Sequence, residues 1–407
     1  MKSRILIRFS VGAVCVATAA NLHAQVVLSG SGPGSMVRIF HTDMAVLEAG
    51  EPRKDLPCEV TINKPILGFD LRFHAGYEVT IPMRELAGTE NLLNILFRVT
   101  NPETHEVRHF SQRVRVPSIS EEANGDAWMA GSFDVGQGHY KVAWLVRDRT
   151  ERVCSSFWDI DAELPPKDRE MELAIANGAI LACDREQFRD EPRVRRDNAP
   201  LNVKVLVNFA PQKSNAATLR PLDTSALVSI LRSLSRDPRI GKFSLVAFNL
   251  QEQRVLFRQH DSEIIDFPAL GDALGSLSLA TVDVQRLAQK NGETAFLAGL
   301  IQKEVKDAQQ ADAVVFAGPK AMLEENVPAD SLKEIGELAP PVFYMNYNLY
   351  PQSVPWTDTI GKAVRFFRGY EYTITRPRDL WYAVSEMVTR IVKLKQGRQS
   401  GTSSSSE

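Results

Sequence analysis

Val203-Lys204-Val205-Leu206-Val207-Asn208-Phe209 is a nearly unbroken apolar run rich in β-branched residues, and it reads as a strand covered on both faces. Ala210-Pro211-Gln212 closes it. Asp223 then caps a predicted helix to about Ser235, which Asp237-Pro238 ends. Lys242–Asn249 and Gln253–Arg258 predict a hairpin, Thr294–Gln309 a helix, Ala313–Ala317 a strand, Ser331–Leu338 a helix and Pro341–Asn346 a strand. Val364–Arg368, a short apolar run, is expected to be the last buried strand, and Arg378–Lys395 the closing helix. Strands and helices alternating over residues 201–396 predict a doubly wound α/β sheet.

Upstream, from Gln25 to about Leu164, the period changes to two. Val37-Arg38-Ile39-Phe40, Phe69-Asp70-Leu71-Arg72-Phe73 and Val114-Arg115-Val116 alternate apolar with polar residues, as half-buried strands do. Asn101-Pro102-Glu103-Thr104 and Asp148-Arg149-Thr150-Glu151 are turn sequences between strand-like runs and predict two hairpins. Residues 25–164 are therefore expected to form an all-β domain, and residues 165–200, rich in charge and proline, a linker. Within that linker the apolar stretch Met171 to Leu181 is expected to pack on one of the domains.

The first residues set the expected compartment. Lys2, Arg4 and Arg8 precede an apolar run from Phe9 to Ala20, followed by Leu22-His23-Ala24, which reads as a signal peptide over residues 1–24. Its removal takes the formal charge from −2 to about −5. Nothing after it is apolar enough to span a bilayer. With 48 Lys and Arg against 50 Asp and Glu and no broad basic stretch, the chain lacks the electrostatic footprint of a nucleic-acid binder. The Ser-rich end, residues 397–407, is expected to be a disordered tail. Three cysteines remain after the leader, Cys58, Cys154 and Cys183. Export permits a disulfide, and Cys58 with Cys154, both in strand-like stretches, is one pairing; three buried thiols is the other reading. No Cys-x-x-Cys or Cys/His cluster exists to make a zinc site.

Two resemblances sharpen this reading. Gly138-His139-Tyr140-Lys141-Val142-Ala143-Trp144-Leu145-Val146-Arg147-Asp148 resembles the penultimate strand of immunoglobulin-like and fibronectin-like sandwiches. That likeness implies that Tyr140 bonds back across a corner. The order of elements over residues 201–396, with one early antiparallel hairpin after the first helix, resembles the von Willebrand factor type A domain. More narrowly, the chain is similar to exported proteins, common in acidobacteria, described as related to that domain and carrying a β-sandwich ahead of it. The resemblance implies a metal-ion-dependent adhesion site at the carboxyl edge of the sheet, whose first loop is Asp-x-Ser-x-Ser, for a hard cation needs oxygen ligands. Here that loop reads Asn208-Phe209-Ala210-Pro211-Gln212, so Asn208, Ala210 and Gln212 replace the three ligands. Gly292-Glu293-Thr294 matches the second loop, leaving Thr294, and Phe316-Ala317-Gly318 replaces Thr-Asp-Gly, with Ala317 in place of the acid. No anionic ligand remains at the matched positions, and neutral oxygens alone bind Mg²⁺ weakly. Asn208 then serves the loop backbone and Thr294 caps its helix.

Catalytic signatures are missing from the sequence. No Gly-x-Ser-x-Gly elbow, no Gly-rich phosphate loop and no helical His pair occurs. His105 and His109 flank a turn, and Asp159 and Asp161, at strand spacing, read as exposed acids rather than a glycosidase pair. Phe343-Tyr344-Met345-Asn346-Tyr347-Asn348-Leu349-Tyr350 and the residues up to Trp356 cluster aromatics after a strand, and adaptable surfaces of this kind occur at protein interfaces. The sequence therefore points to a non-enzymatic, exported protein-binding or scaffolding protein with no cofactor and an unidentified protein partner. Its candidate contacts are Asn208, Pro211, Thr294, Pro319, Tyr347, Tyr350 and Trp356. Cation-dependent adhesion through the residual ligands, an envelope hydrolase and a structural subunit of an envelope assembly are the alternatives.

Overall fold

A computed structural model describes residues 26–28, 40–183, 186–197, 200–213, 216–277, 279, 291–336, 339–350, 352 and 357–403. The signal-peptide reading of residues 1–24 and the candidate contact Trp356 lie outside the described residues. The chain is mixed α/β, with two antiparallel sheets followed by a mixed, largely parallel one.

The first half builds strands β1 (Val26–Leu28), β2 (Glu59–Leu67), β3 (Phe73–Pro82), β4 (Asn91–Thr100), β5 (Val107–Val116), β6 (Asp126–Val135), β7 (Gly138–Arg147) and β8 (Val153–Ala162), with one helix, α1 (His41–Ala49). One sheet runs β1-β5-β4-β7-β8; in the other, β2-β3-β6 is extended by β9 (Ile180–Ala182). Alternation explains the packing between them. Ala75, Tyr77 and Val79 of β3 point inward, as do Ile95, Phe97 and Val99 of β4. The Tyr77 ring meets Phe97 and Trp144 edge-on at 5.5 and 5.4 Å, which joins the two sheets through one aromatic core. Both expected hairpins form, β4 with β5 and β7 with β8. The Tyr140 hydroxyl donates to Gly136 O at 2.9 Å, the bond back across a corner that its sequence context implied. Cys58 and Cys154 form a disulfide, which leaves Cys183 as the free thiol.

The expected linker is divided between the two halves. Met171 and Ile180 are buried in the core between the two antiparallel sheets, and β9 pairs with β6, so the apolar stretch completes the second sheet. Farther on, Phe188 packs against the α/β core and Glu191 pairs with Arg232 and Arg236, each at 2.8 Å.

The second half forms a six-stranded sheet from β10 (Leu201–Asn208), β11 (Ile240–Asn249), β12 (Arg254–Ser262), β13 (Ala313–Pro319), β14 (Val342–Tyr347) and β15 (Tyr370–Ile374). Its order is β12-β11-β10-β13-β14-β15, and β12 alone is antiparallel to its neighbour. Helices α2 (Pro221–Arg236), α3 (Phe267–Leu274) and α7 (Pro377–Ser403) cover one face, and α4 (Gly292–Lys306), α5 (Ala329–Gly336) and α6 (Thr359–Phe366) cover the other. Lys204 of β10, facing α4, is neutralised by Glu304 at 2.8 Å.

Several expectations need correction. Phe69–Arg72 is the turn between β2 and β3 rather than a strand, with Leu71 N bonded to Gly68 O at 3.0 Å and Leu71 at a φ of +60°. Asp223 lies inside α2, whose N-cap is Arg220, and Thr294 inside α4, whose N-cap is Asn291, so neither caps its helix. Val364–Arg368 is not a strand: Val364 to Phe366 end α6, and the strand begins at Tyr370. Ile360, Ala363 and Val364 bury one face at helical spacing, and a five-residue apolar window cannot distinguish that face from a strand. Residues 397–403, expected in the tail, lie in α7, which continues to Ser403. Extending a helix already nucleated costs far less than starting one, so weak formers can be carried along.

Candidate functional site

In an open α/β sheet ligands settle outside the carboxyl ends of the strands, where strand order reverses. Here that point lies between β10 and β13, ending at Asn208 and Pro319. Gly318 allows the two strand ends to close up. Its φ is +155°, and a Cβ there would lie 2.9 Å from Asn208 Cβ.

Asn208 is 1% exposed, and its Oδ1 accepts the N–H of Leu250 at 3.3 Å. The next residues are fixed by neighbouring strands: Phe209 O accepts Asn249 Nδ2 at 2.6 Å, and Ala210 O accepts the Tyr347 hydroxyl at 2.9 Å. Gln212, also buried, joins this loop to the one after β14. Its Oε1 accepts from Leu349 N at 2.7 Å and Tyr350 N at 3.0 Å, while its Nε2 donates to Asn348 Oδ1 at 3.1 Å and Tyr350 O at 2.9 Å. The Tyr350 ring carries a cation from each of two segments, Lys213 Nζ at 5.6 Å and the Arg220 guanidinium at 5.1 Å from its centroid.

Thr294 sits in the first turn of α4, and its hydroxyl donates to Glu325 O at 3.1 Å. Ala317 is buried in β13, as are Pro211 and Pro319 at this edge. The sequence candidates thus converge on one end of the sheet, but Asn208, Pro211, Thr294, Pro319 and Tyr347 form its floor. Of the described candidates, Tyr350 is the one that reaches solvent.

Several acids at this edge were not among the sequence candidates for the site. Asp223, 1% exposed at the start of α2, has its pKa raised by burial. Burial likewise raises Asp358, whose Oδ1 accepts Ala321 N at 3.2 Å, and nearby Glu371 adds to the rise. Glu371 in turn accepts Asn346 Nδ2 at 2.8 Å and has Lys320 Nζ 3.8 Å away.

Away from the edge, the other sequence candidates have plain structural settings. Asp159 and Asp161 flank His139, at 4.0 and 2.7 Å, on an exposed face. His109 lies part-buried on β5, where burial and Arg98 lower its pKa. Among the described residues, the group of His, Cys and acidic side chains close enough to share a metal ion is in the antiparallel first half: His74, Asp134 and Cys183. Burial would lower the pKa of His74, but hydrogen bonds with Asp134, Asp70 and Cys183 outweigh it and raise the value to about 12.

No family model matches the chain, and no curated protein matches it. Among solved structures, the conserved hypothetical protein BatB from Bacteroides thetaiotaomicron aligns at 14% identity and a TM-score of 0.32, covering 47% of this chain and 99% of that one. Proximal thread matrix protein 1 from the mussel byssus aligns at 10% identity and a TM-score of 0.28, covering 47% of this chain and 45% of its own. The PilB minor pilin from Streptococcus sanguinis aligns at 8% identity and a TM-score of 0.28, covering 75% and 88%. Agreement at this level carries no argument about function. Among the described residues, no helix is long and apolar enough to cross a membrane.

Proposed function

We propose that this protein is a non-enzymatic, exported binding or scaffolding protein, built from an immunoglobulin-like sandwich and a type A-like domain that engages a protein partner without a metal ion at the sheet edge. The strand order, with its single antiparallel edge strand, and the corner bond of Tyr140 support the two fold assignments. One observation carries the functional reading. Gln212, at the position of a lost hydroxyl ligand, binds the loops after β10 and β14 together through four hydrogen bonds. Two groups at the matched ligand positions make hydrogen bonds within the protein. Asn208 Oδ1 serves Leu250, and the Thr294 hydroxyl serves Glu325. The surface offered to a partner is then Tyr350 with Arg220, residue types enriched at interfaces, and with Lys213 beside them.

A photocrosslinking residue at position 350 of the full chain, incubated with envelope extract, tests this. The proposal expects a discrete protein adduct, formed in equal yield with and without EDTA and lost on Arg220→Glu. An adduct that requires Mg²⁺, or none above that formed from position 128 on exposed Trp128, overturns it.

A further inference from the structure

A second candidate site lies in the sandwich, independent of the sheet edge. His74 of β3 and Asp134 of β6 are register partners, and both face away from the core because Phe73, Ala75, Phe133 and Val135 face into it. Cys183 directly follows β9, which pairs with β6 through Ile180–Ala182. Two neighbouring strands and the residue just past a third therefore supply three donors of different kinds. A His nitrogen, a carboxylate oxygen and a sulfur all lie within 4.8 Å of one another. Cys183 is the thiol left outside the disulfide, and Asp134 is 1% exposed.

The surroundings are those of a ligand set held in place. His74 Nε2 is 3.0 Å from Asp70 Oδ1, and His74 Nδ1 is 2.8 Å from Asp134 Oδ1. Without a metal ion Nδ1 donates to Asp134 Oδ1 and Nε2 to Asp70 Oδ1; an ion at Nδ1 takes the place of that proton, while Nε2 keeps its own toward Asp70. A carboxylate on the remote nitrogen is the usual support of a metal-bound histidine. Arg72 Nη1 lies 3.3 Å from the other Asp134 oxygen and steadies it. The loop carrying Asp70 is closed by Gly68 N to Arg72 O at 2.9 Å and Leu71 N to Gly68 O at 3.0 Å. A Cβ at position 68 would collide with both His74 Nε2 and Asp70 Oδ1, so a glycine is needed for this approach.

We propose that His74, Asp134 and Cys183 bind a divalent ion of the zinc class, with Asp70 as the positioning residue for His74. A mixed N, O and S set suits Zn²⁺, whereas Mg²⁺ and Ca²⁺ call for oxygen alone. Binding replaces the thiol proton of Cys183 and the proton on His74 Nδ1, and both leave to solvent. Thiolate and carboxylate then balance the two positive charges. Three protein ligands leave the fourth tetrahedral position to water or to a donor from a partner.

Cobalt(II) titration of the metal-stripped full chain tests this, because a thiolate ligand gives a charge-transfer band that oxygen and nitrogen ligands do not. The expected result is one Co²⁺ per chain, a thiolate band, and its loss on adding one equivalent of Zn²⁺. Cys183→Ser should remove the band, and Asp70→Asn should keep it while weakening Zn²⁺ binding about 10–100-fold. Alkylation of Cys183 in the unaltered chain supplies a readout free of any folding defect: stoichiometric Zn²⁺ should protect the thiol, and millimolar Mg²⁺ should not. Absence of the band, or alkylation unaffected by Zn²⁺, would overturn the proposal and leave an imidazolium held between two carboxylates.

Discussion

Gln212 and Tyr350 form a reciprocal pair: the Gln212 side chain accepts the Tyr350 N–H at 3.0 Å and donates to the Tyr350 carbonyl at 2.9 Å. One buried carboxamide thus gives a loop residue the pairing that a neighbouring strand would provide. Gln212→Ala leaves the N–H groups of Leu349 and Tyr350 without this acceptor, at an expected cost of about 1–3 kcal/mol. Chemical denaturation of the two proteins measures it. An unchanged midpoint would show that the pair does not hold the loops.

Lys204 and Glu304 form a buried ion pair at 2.8 Å, with Arg258 also on Glu304. Burial alone would raise the Glu304 pKa, but the two cations outweigh it and hold the carboxyl below its ordinary value of 4.5. A depressed folded-state pKa contributes stability above the unfolded value, and that contribution is lost as pH falls through the folded one. Glu304→Leu leaves Lys204 buried without its partner and is expected to cost about 3–5 kcal/mol at pH 7. The deficit should shrink in acid, starting near pH 4.5. A deficit independent of pH would assign the loss to packing.

The Cys58–Cys154 disulfide closes a separation of 96 residues, from the start of β2 to the start of β8. Replacing both cysteines with serine is expected to destabilise the sandwich by about 2–5 kcal/mol. Thermal unfolding of the double variant, compared with the reduced parent protein, should give similar transitions. If the double variant melts with the oxidised parent, the bond contributes little.

Local periodicity carried most of the fold. Residues 203–209 could be read as a buried strand because each residue adds to a single pattern, and the hairpins could be read because their turns lie between the strands they join. Ile360, Ala363 and Val364 were harder: too few residues separate a helix face from a strand. At the sheet edge, Asn208, Gln212 and Thr294 were legible through resemblance, but their hydrogen bonding was not, since it depends on Leu250, Tyr350 and Glu325 arriving from elsewhere. His74, Asp134 and Cys183 were invisible as a group, because only the register of β3, β6 and β9 brings together residues so far apart in sequence. Nothing in their linear spacing resembles a zinc motif.

Whether the carboxyl edge of the six-stranded sheet engages a cation is measured by thermal-shift and calorimetric titration of the full chain with Mg²⁺ and Ca²⁺, since a ligand of the folded state alone raises the unfolding temperature. The account predicts no shift and no saturable heat at millimolar concentrations of either ion. A saturable shift that disappears in Asn208→Ala or Thr294→Ala would contradict it and return cation-dependent adhesion to this edge.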